Sequence, residues 1–146
     1  MNIRLSSEIV HATSVAFDGR AVLLMGPSGS GKSDLALRLF DRGFALVSDD
    51  QTMLRKDGAR LVASAPATIA GKIEVRGIGI VNMPAAGDTP VALAVELTSD
   101  VQRMPDDSRN RLFLGIAIPM FELDAMTPSA DAKVALALDQ LGLTFA

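Results

Sequence analysis

The sequence predicts a single α/β domain spanning 1–146, and three observations predict it. A buried-looking strand, a glycine-rich turn and an amphipathic helix follow one another between Arg20 and Phe40. Further strand candidates lie on both sides of that helix, and a second helical pattern closes the chain. The 146 residues, 49% of them hydrophobic and regularly interrupted by charge, suit one globular core.

Taken in order, Val10 to Phe17 is rich in β-forming residues, Asp18-Gly19 is a turn signal, and Arg20 to Met25 reads as a buried strand, so the two segments form a hairpin. From Lys32 the apolar period becomes helical: Leu35, Leu39 and Phe40 share a face, Asp34, Arg38 and Asp41 turn to water, and Gly43 ends the helix. Phe44 to Ser48 is a short strand running into Asp49-Asp50. Lys56-Asp57-Gly58-Ala59 marks another hairpin, and Ala63 to Lys72 reads as loop. Ile73-Glu74-Val75-Arg76 alternates, but Gly77 and Gly79 before Ile80 argue for a close backbone approach or an unusual turn. Pro84 to Pro90 is a linker, Val91 to Leu97 a strand, Arg103 to Arg111 a charged loop and Leu112 to Leu123 an apolar run. Ala130 to Leu141 is the closing helix, with Asp131 near its start.

Composition narrows the chemistry. With a net charge of -3, phosphate has to be attracted by a local group of cations, not by the whole surface. Nucleic acid is not an expected partner, because the basic residues are dispersed and Tyr and Trp are absent as stacking platforms. The absence of cysteine excludes disulfides, thiolate chemistry and zinc-thiolate clusters, and a single histidine, His11, is too few for an imidazole metal site. No apolar run approaches a membrane span and no secretion pattern opens the chain, so the expected location is cytoplasmic.

Gly26-Pro27-Ser28-Gly29-Ser30-Gly31-Lys32-Ser33 matches the full GxxxxGK[ST] pattern, with a strand before it and a helix after it. The glycines permit a loop whose N–H groups converge on phosphate oxygens, and the helix N-terminus adds its dipole. Lys32 reaches the outer phosphates, and the Ser33 hydroxyl suits Mg²⁺. The ligand implied is a nucleoside triphosphate, ATP with Mg²⁺.

Asp49 and Asp50 follow the next strand at the same sheet edge, and their side chains point in different directions. One can accept a proton from an incoming hydroxyl and the other can support the metal. Asp49 is taken as the base and Asp50 as the metal support, and the reverse assignment stays open. His11 can return along its hairpin to orient or pair with Asp49, although a lone histidine is more often ordinary packing.

The run from His11 through the loop, Arg42-Gly43-Phe44-Ala45-Leu46-Val47-Ser48-Asp49-Asp50, and above all Ile73-Glu74-Val75-Arg76-Gly77-Ile78-Gly79-Ile80, resembles the catalytic domain of HPr kinase/phosphorylase. The resemblance implies a P-loop nucleotide-binding domain of the HPr kinase/PEP carboxykinase-like type, a central mixed sheet with flanking helices and an added β-hairpin region. It implies transfer of the ATP γ-phosphoryl to a serine of HPr or an HPr-like carrier, and the reverse phosphorolysis, in which inorganic phosphate yields pyrophosphate. Catalytic roles then fall on Asp49, His11, Lys32 and Arg76, nucleotide binding on the Gly26–Ser33 loop, and Mg²⁺ on Ser33, Asp50 and Glu74. A homo-oligomer, trimer or hexamer, is also implied.

Three features depart from the family pattern. The chain begins almost at the catalytic domain, as in the short proteobacterial forms that lack an N-terminal domain. Pro27 stands where many relatives have an acidic residue. Around Asp106-Asp107-Ser108-Arg109-Asn110-Arg111 the usual basic loop is only partly matched, so Arg109 and Arg111 read equally as phosphate clamps or as a solvated charge run. The competing functions are a small-molecule kinase and a non-catalytic nucleotide switch.

Overall fold

A computed structural model describes residues 6–101 and 109–145. Its elements in chain order are β1 (Ser7–Val10), β2 (Ala12–Phe17), β3 (Arg20–Met25), α1 (Lys32–Phe40), β4 (Ala45–Ser48), β5 (Thr52–Asp57) and β6 (Arg60–Ser64). There follow β7 (Lys72–Val75), β8 (Gly79–Asn82), β9 (Thr89–Leu97), β10 (Asn110–Phe113), β11 (Ile116–Leu123) and α2 (Ala130–Leu141). Strands β1-β5-β6-β9-β3-β2-β4 form the main sheet, with β11 also on β9 and β10 on β11; β7 and β8 pair separately. The α/β reading and the mixed sheet agree with this architecture.

β9 is the hub. Val91, Ala92, Leu93, Ala94 and Val95 are all fully buried, the continuous apolar run of a strand covered on both faces. It pairs parallel with β3 on one edge; on the other its start meets β6 antiparallel and its end meets β11 parallel. Alternation along β3 then makes two cores. Val22 and Leu24 pack with Leu35 and Leu39 of α1 and Val134 and Leu138 of α2. Ala21, Leu23 and Met25 face the other way, toward Leu54, Leu61, Phe113 and Ile118.

The connection that positions the site is β2, inserted antiparallel between β3 and β4. Ala12 lies opposite Met25 and Ser14 opposite Ser48. The loops after β3 and β4 and the residue before β2 therefore open on one sheet edge, where ligands of such sheets bind.

Two clamps hold the helices. Arg38 donates to the Ala125, Thr127 and Pro128 carbonyls and, with Arg42, to Asp131. Arg38 thus does not simply face water: its planar fork joins α1 to the approach of α2. The Arg42 hydrogen bond holds the Asp131 carboxyl below its ordinary value, against partial burial. At the far end, Arg20 donates to Leu138 and Leu143 carbonyls at 3.1 and 3.3 Å, and the Leu143 N–H donates to Ala92.

Several segments differ from the sequence reading. The run Val10 to Phe17 is broken at His11, with β1 paired to β5 and β2 to β3. Ala86 of the supposed linker donates its N–H to Leu46, binding that segment to β4. Leu112 to Leu123 is a hairpin, turning at Leu114 (φ 51°) and Gly115 (φ 81°). The Ile73–Ile80 motif is the β7–β8 hairpin. A Cβ on Gly77 or Gly79 would meet open space, so their positive φ, 84° and 112°, and not a close approach, requires glycine. Of the predicted charged loop, residues 103–108 lie outside the described residues, and Asn110 and Arg111 begin β10.

Candidate functional site

The turn after β3 is built around close approaches. A Cβ on Gly26 (φ 155°) would lie 2.6 Å from the Ser30 hydroxyl and 3.1 Å from the Leu97 carbonyl, so only glycine lets the loop begin there. Gly31, at φ 97°, caps α1 and delivers Lys32 and Ser33 as its first residues. The first N–H groups of a helix lack intrahelical acceptors and, with the helix dipole, favour an anion. Lys32 is buried, and its ammonium donates to the Gly26 and Pro27 carbonyls at 2.7 and 3.2 Å. Two of its three donors are engaged by the loop itself.

Beside this loop stands Asp49, only 9% exposed. All its partners donate: the Ser33 hydroxyl at 2.8 Å and the Thr13 hydroxyl at 3.1 Å to Oδ1, and the Glu74 backbone N–H at 3.0 Å to Oδ2. One carboxylate therefore joins α1, β2 and the β7–β8 hairpin. Asp50 has the opposite surroundings. Its side chain is 61% exposed and accepts from His11 Nε2. Its backbone is left-handed at φ 65°, uncommon outside glycine, and its N–H donates to Thr13 Oγ1.

These pieces border a cleft of about 590 Å³ that includes Gly29, Lys32, Ser33, Asp49, Asp50 and Arg76. The structure thus brings together the Gly26–Ser33 loop, both aspartates, Glu74 and Arg76, with His11 one hydrogen bond behind. It corrects one pairing: His11 meets Asp50, not Asp49. The bend between β1 and β2 places the imidazole over the turn after β4, and the left-handed Asp50 swings its carboxylate outward while Asp49 points into the sheet edge. Of the expected metal donors, Ser33, Asp50 and Glu74 line the same cleft, but no contact joins their side chains. Ser33 partners Asp49, whereas the contact made by Glu74 comes from its backbone. Among the described residues no three His, Cys, Asp or Glu side chains form a metal cluster.

Arg109 pairs with Glu122 at 2.7 Å, and Arg111 lies over the Phe113 ring, so both engage β10 and β11. A second cavity of about 620 Å³, between β11 and α2, contains none of the loop or aspartate residues. Sequence reasoning missed Thr13. The signal was a hydroxyl residue two places after His11, near the start of an apolar strand that the Asp18-Gly19 turn puts in register with the end of β3.

Fold and cleft define a class: an α/β domain in which a glycine loop and helix N-terminus face a carboxylate pair across one sheet edge. Within that class, the chain belongs to the HPr serine kinase C-terminal domain family, whose model matches residues 4–135. An HPr kinase/phosphorylase of Lactiplantibacillus plantarum is 37% identical over 131 residues, covering 81% of this chain and 42% of that protein. One from Chlorobium phaeobacteroides is 34% identical over 126 residues, covering 77% and 37%. The chain therefore spans about two-fifths of the length of these curated relatives. The solved Hpr(Ser) kinase/phosphatase of Coxiella burnetii superimposes with a TM-score of 0.79 at 28% identity, over 90% of this chain and 94% of that one. No helix among the described residues is long and apolar enough to cross a membrane.

Proposed function

We propose that the protein transfers the γ-phosphoryl of ATP to a serine hydroxyl of HPr or an HPr-like carrier, using a P-loop at Gly26–Ser33. The observation that carries the reading is the division of labour between adjacent carboxylates: Asp49 enclosed against Ser33, Asp50 open to the cleft and backed by His11. A base for a protein hydroxyl must be reachable by that hydroxyl, and a carboxylate beside the P-loop hydroxyl is suited to a metal, so this proposal reverses the roles expected from the sequence, Asp49 as base and Asp50 as metal support.

The donor set fits Mg²⁺. This ion takes oxygen ligands and is usually held by one or two carboxylates plus phosphates and water, so a protein cluster is not required. Ser33 and Asp49 would hold it, and Glu74, which also lines the cleft, would support it through water. Bound there, it would neutralise charge on the outer phosphates. The chain's own groups do the rest. The N–H groups of the loop and of the first turn of α1 fix the phosphates. Lys32 turns a donor toward the transferring group, and Arg76, on the cleft wall, offers its fork to phosphate oxygen. Asp50 takes the serine proton as the serine oxygen attacks the γ-phosphorus in line and the bond to the bridging oxygen of the departing ADP breaks, while His11 keeps that carboxylate aimed.

In the reverse reaction inorganic phosphate would attack the phosphoserine phosphorus, the serine O–P bond would break to give pyrophosphate, and protonated Asp50 would return its proton to the serine oxygen. Self-association into a homo-oligomer, trimer or hexamer, belongs to the same proposal and rests on the family resemblance alone. The test is incubation with ATP, Mg²⁺ and purified HPr-type carriers, followed by intact mass measurement before and after adding phosphate. A gain of one phosphoryl group on serine is the expected result. No gain on any carrier, with ATP binding intact, would refute transfer to such carriers.

A further inference from the structure

Thr13 lies fully buried at the start of β2, within the strand but bonded outside it. Its hydroxyl donates to Asp49 Oδ1 at 3.1 Å and accepts from the Asp50 backbone N–H at 3.1 Å. A hydroxyl has one proton and two lone pairs, so both bonds form at once. A buried threonine commonly satisfies itself on nearby backbone; here both partners are more than thirty residues away and belong to consecutive acidic residues.

The neighbouring hydroxyls strengthen the same joint. Ser14 and Thr52 share a hydrogen bond of 2.9 Å, Thr52 also donates to the Ala12 carbonyl, and Ser48 donates to Gln51. Two strand starts and a strand end are thereby fastened on both sides of Asp49-Asp50. The fastening has a task, because a left-handed aspartate persists only where its surroundings hold it.

The geometry points to Thr13 as a positioning residue for phosphoryl transfer: one hydroxyl that fixes the enclosed carboxylate and the open one relative to each other. The inference rests on the functional reading above. Without that hydroxyl, Asp49 keeps Ser33 and Glu74 but can rotate about them, and the Asp50 N–H loses its acceptor. Nucleotide binding by the loop is largely untouched, so the effect falls on kcat and on the Mg²⁺ requirement.

Thr13→Val keeps the shape and removes the hydroxyl; Thr13→Ser keeps the hydroxyl. The valine variant is expected to lose about tenfold or more in kcat with KM for ATP within about threefold. Its half-saturating Mg²⁺ concentration for ATP binding should rise about tenfold, as for lost outer-shell partners of a metal ligand. The serine variant should recover both to within about threefold. A folded valine variant equal to the wild type, or a serine variant as impaired as valine, overturns the proposal. If valine does not fold, amide exchange in the unsubstituted protein decides: Asp50 N–H should be protected well beyond an exposed turn, and free exchange sinks the idea. A wild type that binds Mg²⁺ and ATP but never transfers phosphoryl defeats the functional reading alone, since amide exchange and Mg²⁺-dependent ATP binding test Thr13 without transfer.

Discussion

The loop-and-helix segment from Gly26 to Phe40 and the acidic side formed by Asp49, Asp50, His11 and Glu74 face each other across one cleft but are constructed differently. The first is contiguous: glycines set its turns, and α1 presents Lys32 and Ser33 by its own geometry. The second joins segments far apart in sequence through side-chain hydrogen bonds, from His11 to Asp50, from Ser33, Thr13 and the Glu74 N–H to Asp49, and from the Asp50 N–H to Thr13. A contiguous site takes its shape mainly from its own residues, whereas an assembled one depends on strand register and on a hairpin lying in place.

The contiguous side should give the largest single effect. Lys32→Ala is expected to reduce transfer by on the order of 10³-fold, the scale of losing a charge-stabilising donor, measured as single-turnover rate. A loss under about tenfold would break the comparison at its stronger half. On the assembled side, Asp50→Asn should lower kcat by about 10²-fold while ATP affinity, read by calorimetry, stays near that of the wild type. Weakened ATP binding with unchanged kcat would instead make Asp50 a ligand-holding group. Asp49→Asn should raise the Mg²⁺ requirement about tenfold, read from the metal dependence of nucleotide binding.

Smaller effects separate geometry from chemistry. Gly79→Ala places a side chain at φ 112° in open space, so backbone strain alone should destabilise by about 1 kcal/mol or more in urea unfolding. Asp131→Asn, which is not part of the cleft lining, should cost about 1 kcal/mol and leave transfer rates unchanged. Asp131 has a depressed folded value, so its contribution is present above the unfolded carboxylate value and lost as pH falls below about 4. The wild type should therefore lose part of its advantage over Asp131→Asn in acid; a constant difference across pH would contradict that assignment.

How much was legible follows from the same contrast. The strand, loop and helix from Arg20 to Phe40 could be read directly because motif and periodicity act within a few residues. The placement of Asp49-Asp50 near the loop was legible in their position just after a strand, but their individual orientations were not, since the turning residue is a left-handed aspartate where no glycine advertises it. The partner of His11 was hidden for a related reason: the bend that splits β1 from β2 carries no glycine or proline. The β10–β11 turn did carry a signal, Gly115 after the left-handed Leu114, which the apolar run Leu112 to Leu123 obscured. Arg38 looked like the polar face of an amphipathic helix, because its carbonyl acceptors come from the approach to α2, which only tertiary folding brings near.

The tail contacts of Arg20 bear on how the protein can be cut. The family match ends at 135, within α2, yet the guanidinium that opens β3 is satisfied by carbonyls at Leu138 and Leu143. A fragment trimmed to the matched boundary would strand those donors, uncover the Ala92 carbonyl and delete Leu138 from the core beneath α1. Expression boundaries drawn from homology alone would thus loosen the strand that carries the glycine loop, from its opposite end.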